Sequence, residues 1–258
     1  MSRSFIAYTL NNNIMEIIMK KILLCTTMFL ASTATANAQD VSVSTSIDYV
    51  SDYVFRGVSL ADSAIQSGVE ASLGAFTAGA WFSTGVGDTS ETAGDEIDLY
   101  ASYSFSLSDL VSTDIGITYY HYPQGGSLFE TDGGGAGTYE IFTSFGFDLP
   151  LSPSASAYYD LTLKAFTLEG GVSHSIPTSD KTSFDLGASL GLVDGDGFSY
   201  EYGSASASLG YSLTDDVSVY LGATYALNSD DMLNFEKTLA GNPKDNLLFF
   251  GAGISAGF

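Results

Sequence analysis

The sequence is poor in several residue types on which soluble and catalytic proteins depend. Of its 258 residues, one is Cys, two are His, five are Pro and one is Trp. Lysine and arginine together number 8, against 30 aspartates and glutamates, and the formal net charge is −22. Such an excess of negative charge disfavours a nucleic-acid partner, because phosphate backbones attract basic proteins. The sequence also lacks the Cys/His clusters of zinc sites and the glycine-rich loop of phosphate sites, so we expect no metal and no cofactor.

Long hydrophobic runs are missing as well. No segment approaches the ~20 apolar residues that a membrane-spanning helix needs, although 45% of the residues are hydrophobic. Charged residues reach only 15%, below the roughly 25% of a typical soluble domain. A chain that is mildly hydrophobic without a long apolar run is either a β-rich globule or a transmembrane β-barrel.

The first 38 residues predict an export signal. From Met19 the sequence reads MKKILLCTTMFLASTATANAQD, with two lysines, an apolar stretch and an A-N-A tripeptide. This pattern is typical of a secretory signal peptide with an A-x-A cleavage site. We therefore expect translation to start at Met19, cleavage to follow Ala38, and the exported domain to comprise residues 39–258. The one cysteine, Cys25, lies in the leader, so no disulfide is expected in the exported domain.

From Val41 onward, apolar and polar residues alternate with a period of two. In DEIDLYASYSFSL, for example, one face is Ile, Leu, Ala, Tyr, Phe, Leu and the other is mostly Asp and Ser. The period predicts about twelve strands, each long enough to cross a bilayer as a tilted barrel strand of ~9–11 residues. The predicted ranges are 41–55, 64–74, 76–86, 96–107, 113–122, 138–149, 153–163, 165–176, 182–193, 198–212, 216–228 and 246–258.

The connections between these strands alternate in length, with the short link near Lys164 as an exception. Short turns such as Gly-Ala at 74–75 follow the even strands, and longer stretches such as RGVSLADS follow most odd ones. Short periplasmic turns and longer extracellular loops are typical of an outer-membrane barrel; a soluble β-sandwich is the alternative. The last strand ends on Phe258, as expected if it pairs with the first to close the barrel.

Aromatic residues support the same interpretation. Several lie on the apolar faces near strand ends, Tyr53 and Phe55 among them, and are expected to form girdles at the lipid headgroups. We also predict that the terminal Phe258 is a signal for the barrel assembly machinery.

Four segments resemble the TorF family of proteobacterial porins. They are SIDYVSDYVFRGVSL, DEIDLYASYSF, DIGITYYHYPQG and TYEIFTSFGFDLPLSPSASAYYDL, which together span most of residues 45–163. The resemblance implies an outer-membrane β-barrel of porin type. It supplies neither a solute nor functional residues.

If the apolar faces point at lipid, the opposite faces line the lumen, and their lining is acidic. Arg56 and Lys164 are the basic residues predicted among them. We hypothesise that Asp52, Asp98, Glu140, Asp160 and Glu169, which fall in the extracellular half, form a loose acidic collar in a water-filled bore. Such a lining concentrates cations and repels anions. The full set of predicted inward carboxylates is Asp48, Asp52, Glu70, Asp98, Asp114, Glu140, Asp148, Asp160, Glu169 and Asp185.

Several alternatives stay open for the lumen and the loops. The carboxylates could instead pair with Arg56, Lys164 and the many hydroxyls and fill the barrel, as side chains do in eight-stranded barrels. The long connections 123–138 and 229–245 could serve adhesion or receptor roles, and 229–245 could fold into the bore as a gate.

Arg56 itself has two possible roles. Asp52 and Arg56 lie four residues apart on one predicted strand, ~13 Å from each other, so each is expected to meet a neighbouring strand, with Arg56 at the mouth. One role is solute selection at the mouth, and the other, at least as well supported, is an anchor between strand and loop built on Arg56 and Gly57.

Catalysis is not predicted. His121 and His174 are the two histidines, and the sequence shows neither a nucleophile elbow nor a serine suitably placed beside them. An outer-membrane lipid hydrolase is therefore the weakest alternative. The sequence predicts an outer-membrane channel for passive diffusion of small hydrophilic solutes, leaning toward cations, with outer-membrane lipid and the barrel assembly machinery as partners. It names neither the solute nor the oligomeric state.

Overall fold

A computed structural model describes residues 41–86, 95–131, 137–233 and 244–258. The predicted leader and its cleavage site lie outside the described residues. The described chain forms fourteen strands and one short 3-10 turn at Pro123–Gly125. The strands are β1 (Val41–Val50), β2 (Tyr53–Phe55), β3 (Val58–Ala61), β4 (Ala64–Leu73), β5 (Phe76–Gly85), β6 (Asp95–Ser108), β7 (Val111–His121), β8 (Gly137–Phe147), β9 (Ser154–Asp160), β10 (Ala165–Ser179), β11 (Thr182–Gly195), β12 (Phe198–Ser212), β13 (Val217–Asn228) and β14 (Asn246–Gly257). Within the described residues, no helix is long and apolar enough to cross a membrane.

Twelve of the strands close into one antiparallel barrel. Every strand from β4 to β14 pairs with its neighbour in sequence, and β1 pairs with both β4 and β14. In the closing pair, Ser44 lies opposite Gly257, and the backbone of Phe258 exchanges two hydrogen bonds with Val43. The predicted fold, a closed antiparallel barrel of about twelve strands, is confirmed.

The first predicted barrel strand, 41–55, is correct as far as Val50 and wrong for residues 51–55. The barrel strand β1 ends at Val50, and residues 51–63, which we call the inward hairpin, turn into the lumen. Strands β2 and β3 pair only with each other there. The chain leaves the wall because Val50 already lies opposite Ala64 at the end of the β1–β4 ladder, where further pairing stops.

The pleat gives the barrel two chemically different faces. Register fixes the inward set, since residues directly opposite each other point to the same side. Large apolar side chains on the outer face are exposed, as expected for a surface that meets lipid rather than water. They include Ile47, Val69, Phe82, Tyr103, Ile117, Ile141, Leu168, Leu190, Leu209, Leu221 and Ile254.

The barrel also has two different ends. At the turn end, the connections 74–75, 109–110, 148–153, 180–181 and 213–216 are short, and both ends of the barrel chain lie here. At the other end, the loop end, the strands are joined in sequence by residues 51–63, 86–94, 122–136, 161–164, 196–197 and 229–245. The predicted alternation of connection lengths is present, with 161–164 and 196–197 as short exceptions.

The buried apolar core sits inside the loop-end half of the lumen. Tyr53 and Phe55 of the hairpin pack against Tyr120 of β7, and Val58 packs against the wall formed by β11 and β12. The prediction that Tyr53 and Phe55 belong to an outer aromatic girdle is therefore wrong. The alternation of β1 does not assign a face to these two residues, because β1 ends at Val50.

Candidate functional site

The tip of the inward hairpin is a two-residue turn. Phe55 lies opposite Val58, which leaves Arg56 and Gly57 as the turn residues, with φ angles of 43° and 77°. A type I′ turn requires positive φ at both positions. Glycine adopts this conformation freely, whereas for a non-glycine residue such as Arg56 it costs of order 1–3 kcal/mol.

Gly57 is required by close approach as well as by its φ angle. A Cβ atom at this position would lie 2.4 Å from Cβ of Tyr202 on β12 and 3.0 Å from Nδ2 of Asn228 on β13. The hairpin starts between β1 and β4, and Gly57 packs against β12 and β13, which follow β14 around the barrel. The side chain of Arg56 reaches further, to Tyr158 on β9, which lies opposite β1 in the ring of strands.

Arg56 forms a two-pronged ion pair with Glu140 on β8. Its two terminal nitrogens donate to the two carboxylate oxygens over 2.7 and 3.0 Å. The side chains of Arg56 and Glu140 are only 7% and 3% exposed, and the hydroxyl of Tyr120 donates a further hydrogen bond to Glu140 over 3.0 Å. Paired hydrogen bonds between charged groups are among the strongest polar contacts in proteins.

Aromatic rings hold the guanidinium in place. Its central carbon lies 4.0 Å from the ring centre of Tyr158 and 4.7 Å from that of Phe55, within range of a cation–π interaction. Burial by itself lowers the pKa of Arg56, but the charge of Glu140 and its hydrogen bonds outweigh burial and raise that pKa well above its ordinary value. The guanidinium stays charged at the centre of the loop-end half.

Two further groups of contacts hold the strands of the hairpin, one at Tyr53 of β2 and the other at Ser59 of β3. Tyr53 donates a hydrogen bond to Glu96 on β6 over 3.2 Å and packs against the ring of Trp81. The amide of Ser59 donates to the backbone oxygen of Met232 over 3.1 Å, which links the hairpin to the connection 229–245. The hairpin therefore contacts much of the wall, and little space remains around it.

A cavity of about 20 Å³ lies beside the Arg56–Glu140 pair, close to the size that holds one water molecule. Asp160 and Tyr200 line it, and both are 3% exposed. One oxygen of Asp160 accepts the backbone amides of Thr162 and Leu163, at 2.8 and 2.6 Å. The hydroxyl of Thr138 is a further hydrogen-bonding neighbour of Asp160, whereas the hydroxyl of Tyr200 forms no hydrogen bond within the described residues.

The turn-end half of the lumen is built differently. Most of its inward side chains are small, and hydroxyls pair across strands, as in Ser72 with Thr77 and Ser218 with Ser255 at 2.9 and 2.8 Å. Asp185 accepts hydrogen bonds from Ser175 and Ser183. Inward serines here are solvent-exposed despite facing the interior; they include Ser104, Ser106, Ser173, Ser175, Ser206 and Ser212.

The structure places most of the predicted carboxylates on the inner face. Glu140 lies opposite Asp160, and the half-buried Glu169 accepts a hydrogen bond from Tyr202 over 2.7 Å. These and Asp98 do occupy one half of the barrel, as predicted, but Asp98, Glu140 and Asp160 are buried around the hairpin instead of lining a water-filled bore. The inward carboxylates on strands are Asp48, Glu70, Glu96, Asp98, Asp114, Glu140, Asp160, Glu169 and Asp185.

Four predicted positions need correction. Lys164 lies exposed in the turn between β9 and β10, and Asp148 lies exposed in the turn after β8, because β9 and β8 end earlier than predicted. Asp52 and Arg56 do not share a strand, since the chain bends after Val50. Arg56 lies in the interior instead of at the mouth, and its partner comes from β8.

The hairpin and its partner Glu96 are not predicted above. A signal is present in the sequence: YVFRGVSLA has apolar residues on both sides of a central Arg-Gly dipeptide, which is compatible with a tight hairpin turn. It also has apolar residues at consecutive positions, which does not fit a strand with one face toward lipid and the other toward water.

The two histidines lie on the outer face. His121 stacks against Tyr119, with ring centres 6.1 Å apart, and Phe129 packs on the same tyrosine. His174 is exposed on β10, opposite Leu186 of β11. Within the described residues, no group of three or more His, Cys, Asp or Glu side chains could hold a metal ion. That the chain is not an enzyme stays a prediction.

Comparisons with known proteins agree on the fold. A family profile described as "Bacterial protein of unknown function (Gcw_chp)" matches residues 34–226. No curated protein matches the chain in sequence.

Several solved structures share the architecture. A KdgM porin aligns with a TM-score of 0.54 at 10% identity, covering 84% of this chain and 99% of the porin. A NanC porin aligns with a TM-score of 0.51 at 12% identity, covering 83% and 98%. An outer membrane channel from Pseudomonas putida F1 aligns with a TM-score of 0.50 at 10% identity, covering 90% and 100%. A second KdgM structure is described as a complex with disordered oligogalacturonate.

Proposed function

This chain belongs to the Gcw_chp family of bacterial proteins, whose description leaves the function open, and from its geometry we propose that it is an outer-membrane channel. In this proposal small hydrophilic solutes diffuse passively through the lumen, and cations are favoured over anions. The inward hairpin is the constriction of the channel. The TorF resemblance, which implies a porin-type barrel, is part of the same proposal.

The observation that carries the proposal is that the acidic turn-end half of the lumen is accessible to solvent. A barrel that served only as a scaffold would be expected to fill its interior with packed side chains, as small barrels do. Here serine hydroxyls and the carboxylate of Asp185 face the interior and remain accessible to solvent or half-buried. A wet lumen with fixed negative charge concentrates cations and repels anions.

The hairpin explains how a channel can be narrow in one half only. Its tip contacts β12 and β13 through Gly57 and β8 and β9 through Arg56, so in this conformation passage past it requires the hairpin to shift or water to pass beside it. The alternative function, a plugged surface barrel that does not conduct, rests on this same contact. The two functions differ only in whether the hairpin can move far enough to open a path through the lumen.

The solute class follows from the charge of the lining. One structurally similar KdgM porin was studied with an oligogalacturonate, which is a polyanion. The inward carboxylates of the present chain would repel such a molecule. We propose neutral or positively charged small solutes instead.

The proposed location is the outer membrane. The exposed apolar outer face would meet lipid, the predicted leader would direct export, and Phe258 would be read by the barrel assembly machinery. The turn end would face the periplasm and the loop end the exterior, as in outer-membrane barrels.

Planar-bilayer recording of two proteins tests the channel. The first is the wild type, and the second has residues 51–63 replaced by a short Gly-Ser linker; Val50 and Ala64 are register partners, so a short linker can join them. We expect small or rare conductance steps from the wild type and steps severalfold larger from the variant, with a reversal potential that favours cations. Deletion of 126–131, whose Phe129 packs on the outer face, is the matched control and should leave conductance unchanged.

Two results would contradict the proposal. A folded variant that inserts into the bilayer but shows no steps would favour the plugged surface barrel. Steps that select anions would overturn the cation preference while keeping the channel.

A further inference from the structure

We propose that the wall around Glu140 is a binding site for guanidinium-bearing solutes, and that Arg56 of the inward hairpin occupies it as a built-in competitor. The inference names the solute class for the lumen and therefore rests on the proposed channel function. It can be tested on the purified protein without any measurement of conduction.

The wall supplies the contacts that recognise a guanidinium. Glu140 presents both carboxylate oxygens to it over 2.7 and 3.0 Å, and the ring of Tyr158 lies 4.0 Å from its central carbon. Tyr120 orients the carboxylate through its own hydrogen bond. These groups belong to β7, β8 and β9, so they would remain on the rigid barrel if the hairpin moved away.

The wall carries more negative charge than Arg56 neutralises. Asp160 lies directly opposite Glu140 and is 3% exposed. Asp160 lines the small cavity with the hydroxyl of Thr138 as a hydrogen-bonding neighbour, and the hydroxyl of Tyr200 in the same cavity has no hydrogen-bond partner within the described residues. A buried polar group of this kind favours a ligand that brings donors to it.

The geometry favours guanidinium over ammonium. A planar guanidinium can donate two parallel hydrogen bonds to one carboxylate and stack on an aromatic ring at the same time, whereas an ammonium behaves as a point charge. The paired bonds to Glu140 and the position over Tyr158 use both properties. Arginine, agmatine and methylguanidinium are solutes of this class.

The built-in ligand is held in a way that allows exchange. Arg56 has a φ angle of 43°, an unfavourable conformation for a non-glycine residue, so release of the tip would relieve strain. A tethered side chain competes at an effective concentration on the order of millimolar. A free solute would therefore bind weakly to the wild type and much more tightly once Arg56 is removed.

The experiment uses Arg56→Ala in detergent micelles. We would follow its thermal unfolding with methylguanidinium as the probe, and with methylammonium and sodium at the same ionic strength as controls. We expect a rise in melting temperature with methylguanidinium that exceeds both controls, and a much smaller rise for the wild type. In the double variant Arg56→Ala/Glu140→Gln, we expect binding to weaken roughly 30-fold or more.

Other outcomes overturn the inference. Equal stabilisation by all three cations would indicate general screening only, and stabilisation kept in the double variant would place the ligand elsewhere. No stabilisation of Arg56→Ala would exclude the site. If Arg56→Ala does not fold, the variant lacking residues 51–63 exposes the same wall, and calorimetric titration with methylguanidinium replaces the melting experiment.

These results are separable from the channel proposal. Methylguanidinium binding without conductance would keep the site and reject the channel. Conductance without methylguanidinium binding would keep the channel and reject the site.

Discussion

The two halves of the lumen share one sheet and one register, yet they are filled in opposite ways. In the loop-end half, the inner wall carries tyrosines such as Tyr120 and Tyr202 and buried acidic groups, and the inward hairpin packs among them. In the turn-end half, the wall carries serine and glycine, and many inward side chains are exposed. The lumen is therefore densely packed at the loop end and accessible to solvent at the turn end.

The difference indicates that packing inside this barrel comes from an inserted chain segment as much as from the wall. A twelve-stranded barrel lies between eight-stranded barrels, which side chains alone can fill, and porins of 16–18 strands, which remain open. Here the loop-end half needs the hairpin to complete its core, since Phe55 and Val58 each belong to a different buried cluster. The turn-end half has no such insert among its described residues.

Replacing one inward glutamate by glutamine in each half should give the largest difference in the free energy of unfolding. Glu140→Gln breaks a buried ion pair and leaves Arg56 without its charged partner, which typically costs ~3–5 kcal/mol. Glu70→Gln is the matched change in the turn-end half, where the half-buried Glu70 accepts a hydrogen bond from Tyr100 over 3.0 Å. We expect it to cost about 1 kcal/mol. Urea unfolding of both variants in lipid vesicles measures the difference.

If Glu140→Gln and Glu70→Gln lowered the free energy of unfolding by similar small amounts, the distinction between a packed loop-end half and an open turn-end half would be contradicted. Such a result would mean that the hairpin contributes little to stability and that its ion pair is as weak as a solvated one.

Gly57 and Gly74 both have a positive φ angle, but only Gly57 lies in a crowded site. Alanine substitutions at the two positions therefore separate the stability cost of steric overlap from that of the backbone conformation. Gly57→Ala would meet Tyr202 in addition to adopting a positive φ, and we expect a cost of roughly 2–4 kcal/mol. Gly74→Ala, in the turn between β4 and β5, has a φ of 60° but nothing within 4 Å of the added methyl group. There we expect ~1–2 kcal/mol, from the backbone conformation alone.

Conductance gives an independent measure for these glycine variants. Gly57→Ala should loosen the hairpin tip and increase the frequency of open steps in a planar bilayer, whereas Gly74→Ala should leave the steps as they are in the wild type. If folded Gly57→Ala protein showed the same frequency of open steps as the wild type, the hairpin tip would not limit the passage of ions.

The barrel could be predicted from the sequence because its wall follows a simple rule. A period of two, sustained over segments such as DEIDLYASYSFSL, assigns each residue to lipid or lumen without knowledge of the partner strand. The inward positions of Asp98, Glu140 and Asp185 follow from that rule alone. The alternation of connection lengths then separates the two ends.

The hairpin could not be predicted in the same way, because its environment is not set by a local period. Tyr53 and Phe55 continue the alternation of β1, so the sequence pattern predicts a first strand that extends to residue 55. Their contacts, with Trp81 and Tyr120, come from strands 28 and 65 positions further along the chain. Only the closed barrel brings these residues together, and the Arg56–Glu140 pair, 84 residues apart in sequence, depends on the same closure.

The smallest expected effect concerns selectivity in the turn-end half. Asp185 faces the lumen and Asp194, on the same strand, faces outward, so Asp185→Asn and Asp194→Asn remove the same charge on opposite faces of the wall. In the variant lacking residues 51–63, Asp185→Asn should lower the cation preference, measured as a shift in reversal potential, while stability changes by no more than ~0.5–1 kcal/mol. The shift should be largest at ~0.01 M salt and nearly absent at ~1 M, because the screening length falls from ~30 to ~3 Å. An equal shift from Asp194→Asn would mean that the net charge of the protein, and not the lining of its lumen, sets the selectivity.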